Sequence, residues 1–224
     1  MLAFVIRRLI QSVVVMLVVS LIAFVMFRFI GDPVDQMVGL ETTLEERAKL
    51  REQLGLNDPL PIQFWNFVSR AAQGDFGVSY QFKQPVAKMI GERLPATLEL
   101  SFVSALFAVM AGIPMGVFTA LRRESFLSKL FLTISLIGIS LPTFLIGILL
   151  ILLFGVVLRW LPTFGRGDVV QLGWWSTGLL TASGLKSLIM PAITLALFQM
   201  TLIMRLVRSE MLEVMRTDFV KFAR

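Results

Sequence analysis

The sequence predicts an all-α integral membrane protein with four spans, and three observations carry that prediction. Of 224 residues, 56% are hydrophobic and only 16% are charged, whereas soluble domains average about 45–50% and about 25%. The chain also contains four charge-free intervals near the roughly 20 residues that a helix needs to cross a bilayer. Its Lys and Arg residues cluster in alternate connections between those intervals. The absence of Cys and His removes disulfides, thiolate nucleophiles, the commonest general base and the commonest metal ligand. A triad hydrolase or a zinc enzyme is disfavoured before any motif is sought. A net charge of +6 fits cytoplasmic loops of a membrane protein better than nucleic-acid binding.

The first interval runs from Leu9 to Phe27, between Arg8 and Arg28. Arg7 and Arg8 imitate the basic start of a signal peptide. The apolar run is too long for that, and no small-x-small cleavage site follows, so a retained anchor is expected. The second interval is Leu100 to Leu121, the third Leu130 to Leu158 and the fourth Ser187 to Met204. A weaker stretch, Val169 to Leu185, carries several Gly, Ser and Thr residues and the pair Trp174-Trp175. It reads as an interfacial or re-entrant loop, since aromatic residues favour the membrane boundary.

With the N-terminus inside, the cytoplasmic stretches hold ten basic residues: Arg7, Arg8, Arg122, Arg123, Lys129, Arg205, Arg208, Arg216, Lys221 and Arg224. The short outer loop holds three: Arg159, Arg166 and Lys186. The long stretch 31–98 is left out, because long translocated segments ignore the rule.

That long stretch has structure of its own. Thr42 with Glu45, and Thr43 with Glu46, form two overlapping capping boxes. A polar helix should follow and stop at Gly55. Asn57-Asp58-Pro59 is a turn. Pro61 to Gln73 reads as a second helix with Phe64, Phe67, Val68 and Ala71 on one face and Gly74 as its stop.

Motifs for bond chemistry are thin. Lys186-Ser187 has the ending of a phosphate-binding loop, but Leu185 stands where Gly is required. The chain is therefore not expected to bind nucleotide. Gly165-Arg166-Gly167-Asp168 matches the G-x-G-D string of intramembrane aspartyl proteases. Such an enzyme needs a second carboxylate to share a proton, and no Asp lies in any of the four intervals, so a turn is expected. Gly112 and Gly116 form a G-x-x-x-G, which permits close helix approach. Pro114 and Pro142 each remove a helical hydrogen bond. These four residues fit either bundle packing and kinking or broken helices lining a transport path, and spacing alone does not choose. Glu99 and Arg28, at span ends, can both snorkel to the outer interface, which favours positioning over substrate contact.

The last segment is amphipathic. Met211, Leu212, Met215, Phe219 and Phe222 fall on one helical face, and Glu210, Glu213, Thr217, Lys221 and Arg224 on the other. It reads as a helix continuing past the fourth span, either lying on lipid headgroups or docking in a partner's groove. With no cap after Arg224, further spans are expected beyond it.

Taken in order, several strings resemble the inner-membrane permease subunit of ABC importers of the dipeptide/oligopeptide/nickel type, a binding-protein-dependent transport system. The resemblance begins at Arg7-Arg8 and Gly31-Asp32-Pro33, where Ile30 replaces the usual Pro. It continues through Leu54-Gly55-Leu56-Asn57-Asp58-Pro59-Leu60, Gly74-Asp75-Phe76-Gly77-Val78-Ser79, Pro85-Val86 and Arg93-Leu94-Pro95-Ala96-Thr97-Leu98-Glu99-Leu100. Ser140-Leu141-Pro142-Thr143-Phe144, Trp160-Leu161-Pro162 and Pro191-Ala192-Ile193-Thr194-Leu195-Ala196 follow, and Arg205-Leu206-Val207-Arg208-Ser209-Glu210-Met211-Leu212-Glu213-Val214 leads to Asp218-Phe219-Val220-Lys221-Phe222-Ala223-Arg224. That final string resembles the opening of the family's coupling motif, with Phe219 and Phe222 in place of Tyr and Thr.

The resemblance implies a type I ABC importer transmembrane domain, four spans here of an expected six, with a helical extracytoplasmic insertion after span one. Residues 1–98 would form the first span and the insertion, and 99–224 the permease domain. It implies a non-enzymatic permease half in a bacterial-type inner membrane, with an N-terminus in the cytoplasm. Its partners would be a second homologous permease, two cytoplasmic ATPase subunits that hold ATP and Mg²⁺, an extracytoplasmic substrate-binding protein and membrane lipids, with no nucleic acid. Di- or oligopeptides, or related solutes, would be carried by alternating access. Nickel or another non-peptide solute is the alternative cargo, and an export permease, a channel or an intramembrane enzyme are rival classes. By this resemblance Met211, Leu212, Glu213, Met215, Asp218, Phe219, Phe222 and Arg224 would couple to an ATPase. Glu45, Glu46, Arg47 and Lys49 would contact the binding protein.

Overall fold

The computed structural model describes residues 1–30, 34, 38, 43–79, 81–217 and 222. The chain divides into two compact units, Met1–Gly91 and Glu92–Arg224.

In the first unit, helix α1 covers Leu2–Ile30. Its candidate span, Leu2–Met26, has no buried residue in its most apolar window. The aliphatic surface is thus left for lipid or another protein. The Ser12 hydroxyl donates a hydrogen bond to the Arg8 carbonyl at 3.0 Å, which satisfies a polar group that a hydrocarbon environment would leave stranded. Helix α2 covers Leu44–Gln53. Its start is the predicted capping box: Glu46 N–H donates to Thr43 Oγ1 at 3.3 Å, and Thr43 N–H to Glu46 Oε2 at 3.1 Å. The alternative box begins at Thr42, which lies outside the described residues.

Gly55 ends α2 with φ +67. Its N–H donates to Glu52 O, and Leu56 N–H reaches back to Arg51 O. This is the Schellman pattern, which needs a left-handed residue after the cap. Helix α3, Leu60–Ala72, ends in the same way, with Gly74 donating to Ala71 O and Asp75 to Arg70 O. Both glycine stops are where the sequence predicts them. Phe64 and Phe67 of α3 pack on Phe24 of α1, with ring centroids 5.6 and 6.2 Å away. Gln63 Nε2 donates to the Leu56 and Asp58 carbonyls, tying the turn between α2 and α3 to the second helix.

Helix α4, Val86–Leu121, runs unbroken through Pro95 and Pro114. It starts well before the predicted interval. Helix α5 covers Phe126–Ser140, and α6 covers Thr143–Leu150 and continues as a π-helical stretch, Ile151–Val157. The interval Leu130 to Leu158, expected as one span, is bent by 107° between these arms. Pro142 explains the break: it has no N–H to donate, and it pushes Leu141 away from helical dihedrals. Among the described residues, three helices are long and apolar enough to cross a membrane, and the bent pair makes four if both arms form one span.

Strands β1, Val170–Leu172, and β2, Trp175–Thr177, pair antiparallel with Leu172 opposite Trp175. The weak fifth interval is therefore a hairpin and not a span. Helix α7, Ala182–Val214, follows it, with Thr181 capping its start by accepting from Gly184 N–H. The sequence predicts a helix reaching Arg224, but α7 stops at Val214 with Met215 as its cap.

Helices α4 and α7 meet along small residues. On α4, Ser104, Ala108, Gly112, Gly116 and Ala120 are buried at four-residue spacing. On α7, Ala192 and Ala196 are buried with Met190, Thr201 and Met204. A Cβ on Gly112 would lie 3.0 Å from Met200 O and 3.0 Å from Ile203 Cγ2. One on Gly116 would lie 2.7 Å from Val207 Cβ and 2.8 Å from Met204 O. Lipid offers apolar side chains no hydrophobic gain on association, so close backbone approach supplies the dispersion contact that holds such helices together.

Candidate functional site

The polar chemistry of the second unit gathers where α4, the loop after the π-helix, the hairpin and the start of α7 meet. Glu99 is its centre, with a residue exposure of 5%. Its Oε2 lies 3.0 Å from Arg166 Nη2, an ion pair whose arginine side chain is 27% exposed. Oε2 also accepts from Gly178 N–H at 3.3 Å, and Oε1 accepts from Trp175 Nε1 at 3.3 Å. Arg166 in turn donates to the Ser176 hydroxyl at 2.8 Å and the Ser176 carbonyl at 2.6 Å. Each carboxylate oxygen is thus partnered, and the guanidinium ties the loop to strand β2.

The Glu99 side chain is buried in this cluster and does not extend into solvent. The carboxylate turns inward because three donors, from the loop before the hairpin, from β2 and from the turn after it, converge on it, and a buried carboxylate is tolerable only when so paired. The side chain of Arg28, the other span-end charge, is not among the described side chains.

The G-x-G-D string is a turn, as expected. Ser183 Oγ donates to Asp168 Oδ2 at 2.6 Å, Thr181 Oγ1 donates to the Asp168 carbonyl at 2.6 Å, and Asp168 N–H donates to Ser183 Oγ at 3.0 Å. A Cβ on Gly167 would fall 2.5 Å from the Ser183 carbonyl carbon, so only glycine lets the loop dock on the start of α7. Asp168 serves as a local clasp, and the buried carboxylate nearby is paired with an arginine and not with a second acid.

A cavity of about 290 Å³ lies against the bend, lined among others by Met115, Phe131, Gly138, Leu141, Met200 and Met204. The four kink or path candidates separate here. Gly112 and Gly116 are buried against α7, while Pro114 is exposed on an unbroken helix and Pro142 is exposed at the bend. Of the four, Pro142 alone accompanies a broken helix beside a cavity.

The coupling candidates divide too. Met211, Leu212 and Met215 are half-buried, whereas Glu213 is exposed. Phe222 is 93% exposed. Asp218, Phe219 and Arg224 lie outside the described residues. On α2, Glu45 and Lys49 are exposed, Arg47 is half-buried and engaged in a further interaction, and the Glu46 carboxylate is committed to the capping box. The sequence assigned all four to partner contact, but Glu46 already has a local structural role.

The Glu99 cluster was not legible as a unit. The partners of Glu99 lie 67 to 79 positions away from it. The available signal was a lone acid opening a long apolar run.

These features define a multi-pass helical membrane protein whose polar groups are clasped at helix ends and in loops. Residues 112–224 match the family described as binding-protein-dependent transport system inner membrane component, and residues 1–101 match the N-terminal part of such membrane components. The chain belongs to this family of transport permease subunits. It is 36% identical to a putative peptide transport system permease of Brucella abortus, over all of this chain and 69% of the relative. It is 36% identical to a probable peptide ABC transporter permease of Sinorhizobium fredii, over 98% of this chain and 68% of the relative. It is 35% identical to the glutathione transport system permease of Escherichia coli K12, over all of this chain and 68% of the relative.

Proposed function

We propose that this chain is one half of the translocation path of an ATP-driven importer for di- or oligopeptides. The observation that supports this reading most strongly is similarity along the whole chain to permeases named for peptides and for glutathione. In this reading α1, α4, the broken α5–α6 pair and α7 are four of six spans, and the N-terminus is cytoplasmic. The segment holding α2 and α3 is extracytoplasmic and meets the binding protein, with Glu45 and Lys49 as its available charges. A second, similar permease completes the path. ATP and Mg²⁺ reside on two partner ATPase subunits, and alternating access arises as ligand and nucleotide shift the balance between inward-open and outward-open states.

Coupling is assigned to Glu210–Arg224. The half-buried positions Met211, Leu212 and Met215 support an apolar face there. Phe219 is the proposed anchor in the ATPase groove, since a buried aromatic dominates such contacts. Its truncation should cost on the order of 2 kcal/mol or more. In the full-length protein, Phe219→Ala should preserve membrane insertion while lowering ATPase co-purification and substrate uptake together. Normal values for both would remove the coupling role and leave a helix resting on lipid headgroups.

A further inference from the structure

A second cavity, about 350 Å³, lies between α5 and the last turns of α7, lined among others by Leu132, Leu136, Ser135, Arg205, Arg208 and Ser209. Its volume falls in the range of small-ligand sites, about 300–1,000 Å³. Two arginines face it and no carboxylate does. The Arg208 Nε is buried without a hydrogen-bond partner. Arg166 and Arg47 share that feature among the described residues. Arg166, however, is satisfied through its other nitrogens, and Arg47 has a further interaction. Arg208 has no hydrogen bond or ion pair through any nitrogen among the described residues. That buried Nε lacks an acceptor, while the rest of the half-buried guanidinium is open to the groove.

The chemistry of an acceptor follows from the lining. Arg205 and Arg208 present planar donor forks, which suit phosphate geometry. Ser209 adds a hydroxyl, whereas the Ser135 hydroxyl is already donated to the Leu132 carbonyl at 2.7 Å. Leu132, Leu136 and Leu212 supply an apolar wall. The adjoining surface of α7 remains apolar, with Leu202 and Leu206 exposed. A cationic pocket at the end of a candidate span, opening onto an apolar surface, matches a headgroup with its chains attached, whereas a free ion needs no apolar wall.

We propose that this groove binds the phosphate of an anionic phospholipid headgroup, with Arg205 and Arg208 as its cationic side and Leu132 and Leu136 against the adjoining chain. The inference rests on the membrane-spanning reading of α7 but not on its coupling role. Lipid retention is measured without reference to ATPase binding, so the two readings fail separately.

The test uses the full-length permease complex in nanodiscs of phosphatidylglycerol and phosphatidylcholine, with retained lipid counted by native mass spectrometry. Arg208→Gln should lower retained phosphatidylglycerol about fivefold, the weight of one basic residue near a charged membrane surface. Arg208→Lys should fall between, because an ammonium keeps the charge and loses the fork. Arg216→Gln removes the same charge from an exposed position outside the groove and should change retention little. Unchanged retention in Arg208→Gln would overturn the proposal. Equal losses in Arg208→Gln and Arg216→Gln would also overturn it, since the attraction would then be diffuse. Displacement of the lipid by inorganic phosphate would assign the pocket to the free ion and overturn the lipid source. If Arg208→Gln does not assemble, Arg208→Lys against Arg216→Gln decides the same question.

Discussion

Glu99→Ala should lower the stability of the purified complex by about 3–5 kcal/mol, the range seen when one partner of a buried ion pair is removed. The low end applies, because the Arg166 side chain keeps 27% of its surface in contact with solvent. Alanine would strip the acceptor from three donors at once: Arg166 Nη2, Trp175 Nε1 and Gly178 N–H. The strand β2 and the start of α7 would lose their shared anchor on α4. Thermal inactivation in detergent should be faster, and protease should reach the hairpin 170–177 sooner. Because the penalty comes from stranding the cation, Arg166→Met on the Glu99→Ala background should recover part of the loss. Inactivation and cleavage rates equal to the parent's would show that the cluster is not what holds this end of the unit together.

Gly116→Leu should be comparably disruptive. Its first side-chain atom alone would overlap Val207 Cβ at 2.7 Å and Met204 O at 2.8 Å, and the Met204 side chain is itself buried. Overpacking a close-packed interface costs about 1–3 kcal/mol and at times more. Here one contact is backbone, which cannot rotate away. The expected result is a sharp loss of assembled permease from the membrane fraction, with Gly116→Ala partly impaired. Gly91→Ala is the control, because nothing lies within 4 Å of a Cβ there and alanine favours a helix by about 1 kcal/mol. It should assemble as the parent does. Normal assembly of Gly116→Leu would mean that α4 and α7 do not approach as closely as described.

What the sequence made legible follows from range. The cap at Thr43 and the stops at Gly55 and Gly74 are written within a few residues, and each fell within a residue of its predicted place. The hairpin region was separated from the spans by its Gly, Ser and Thr content, but its strand pairing was not predicted. Burial of Glu99 depends on a partner 67 positions away, and no local period announces it. The 29-residue interval Leu130 to Leu158 reads as continuous by hydropathy, which is blind to the hydrogen bond that Pro142 omits. The G-x-x-x-G at 112–116 allowed packing or path lining until Val207 and Met204 were placed against Gly116. The stop of α7 at Val214 was not legible because amphipathic spacing records faces, not caps.

A permease half of a peptide importer couples peptide delivery to ATP hydrolysis on its partner subunits. The direct measurement is ATP hydrolysis by the full-length protein reconstituted in proteoliposomes with its partner permease, its ATPase subunits and its binding protein. Binding protein loaded with a dipeptide should stimulate hydrolysis, and labelled dipeptide should accumulate on the side where ATP is hydrolysed. Hydrolysis indifferent to loaded binding protein, or peptide movement that proceeds without ATP, would contradict that coupling.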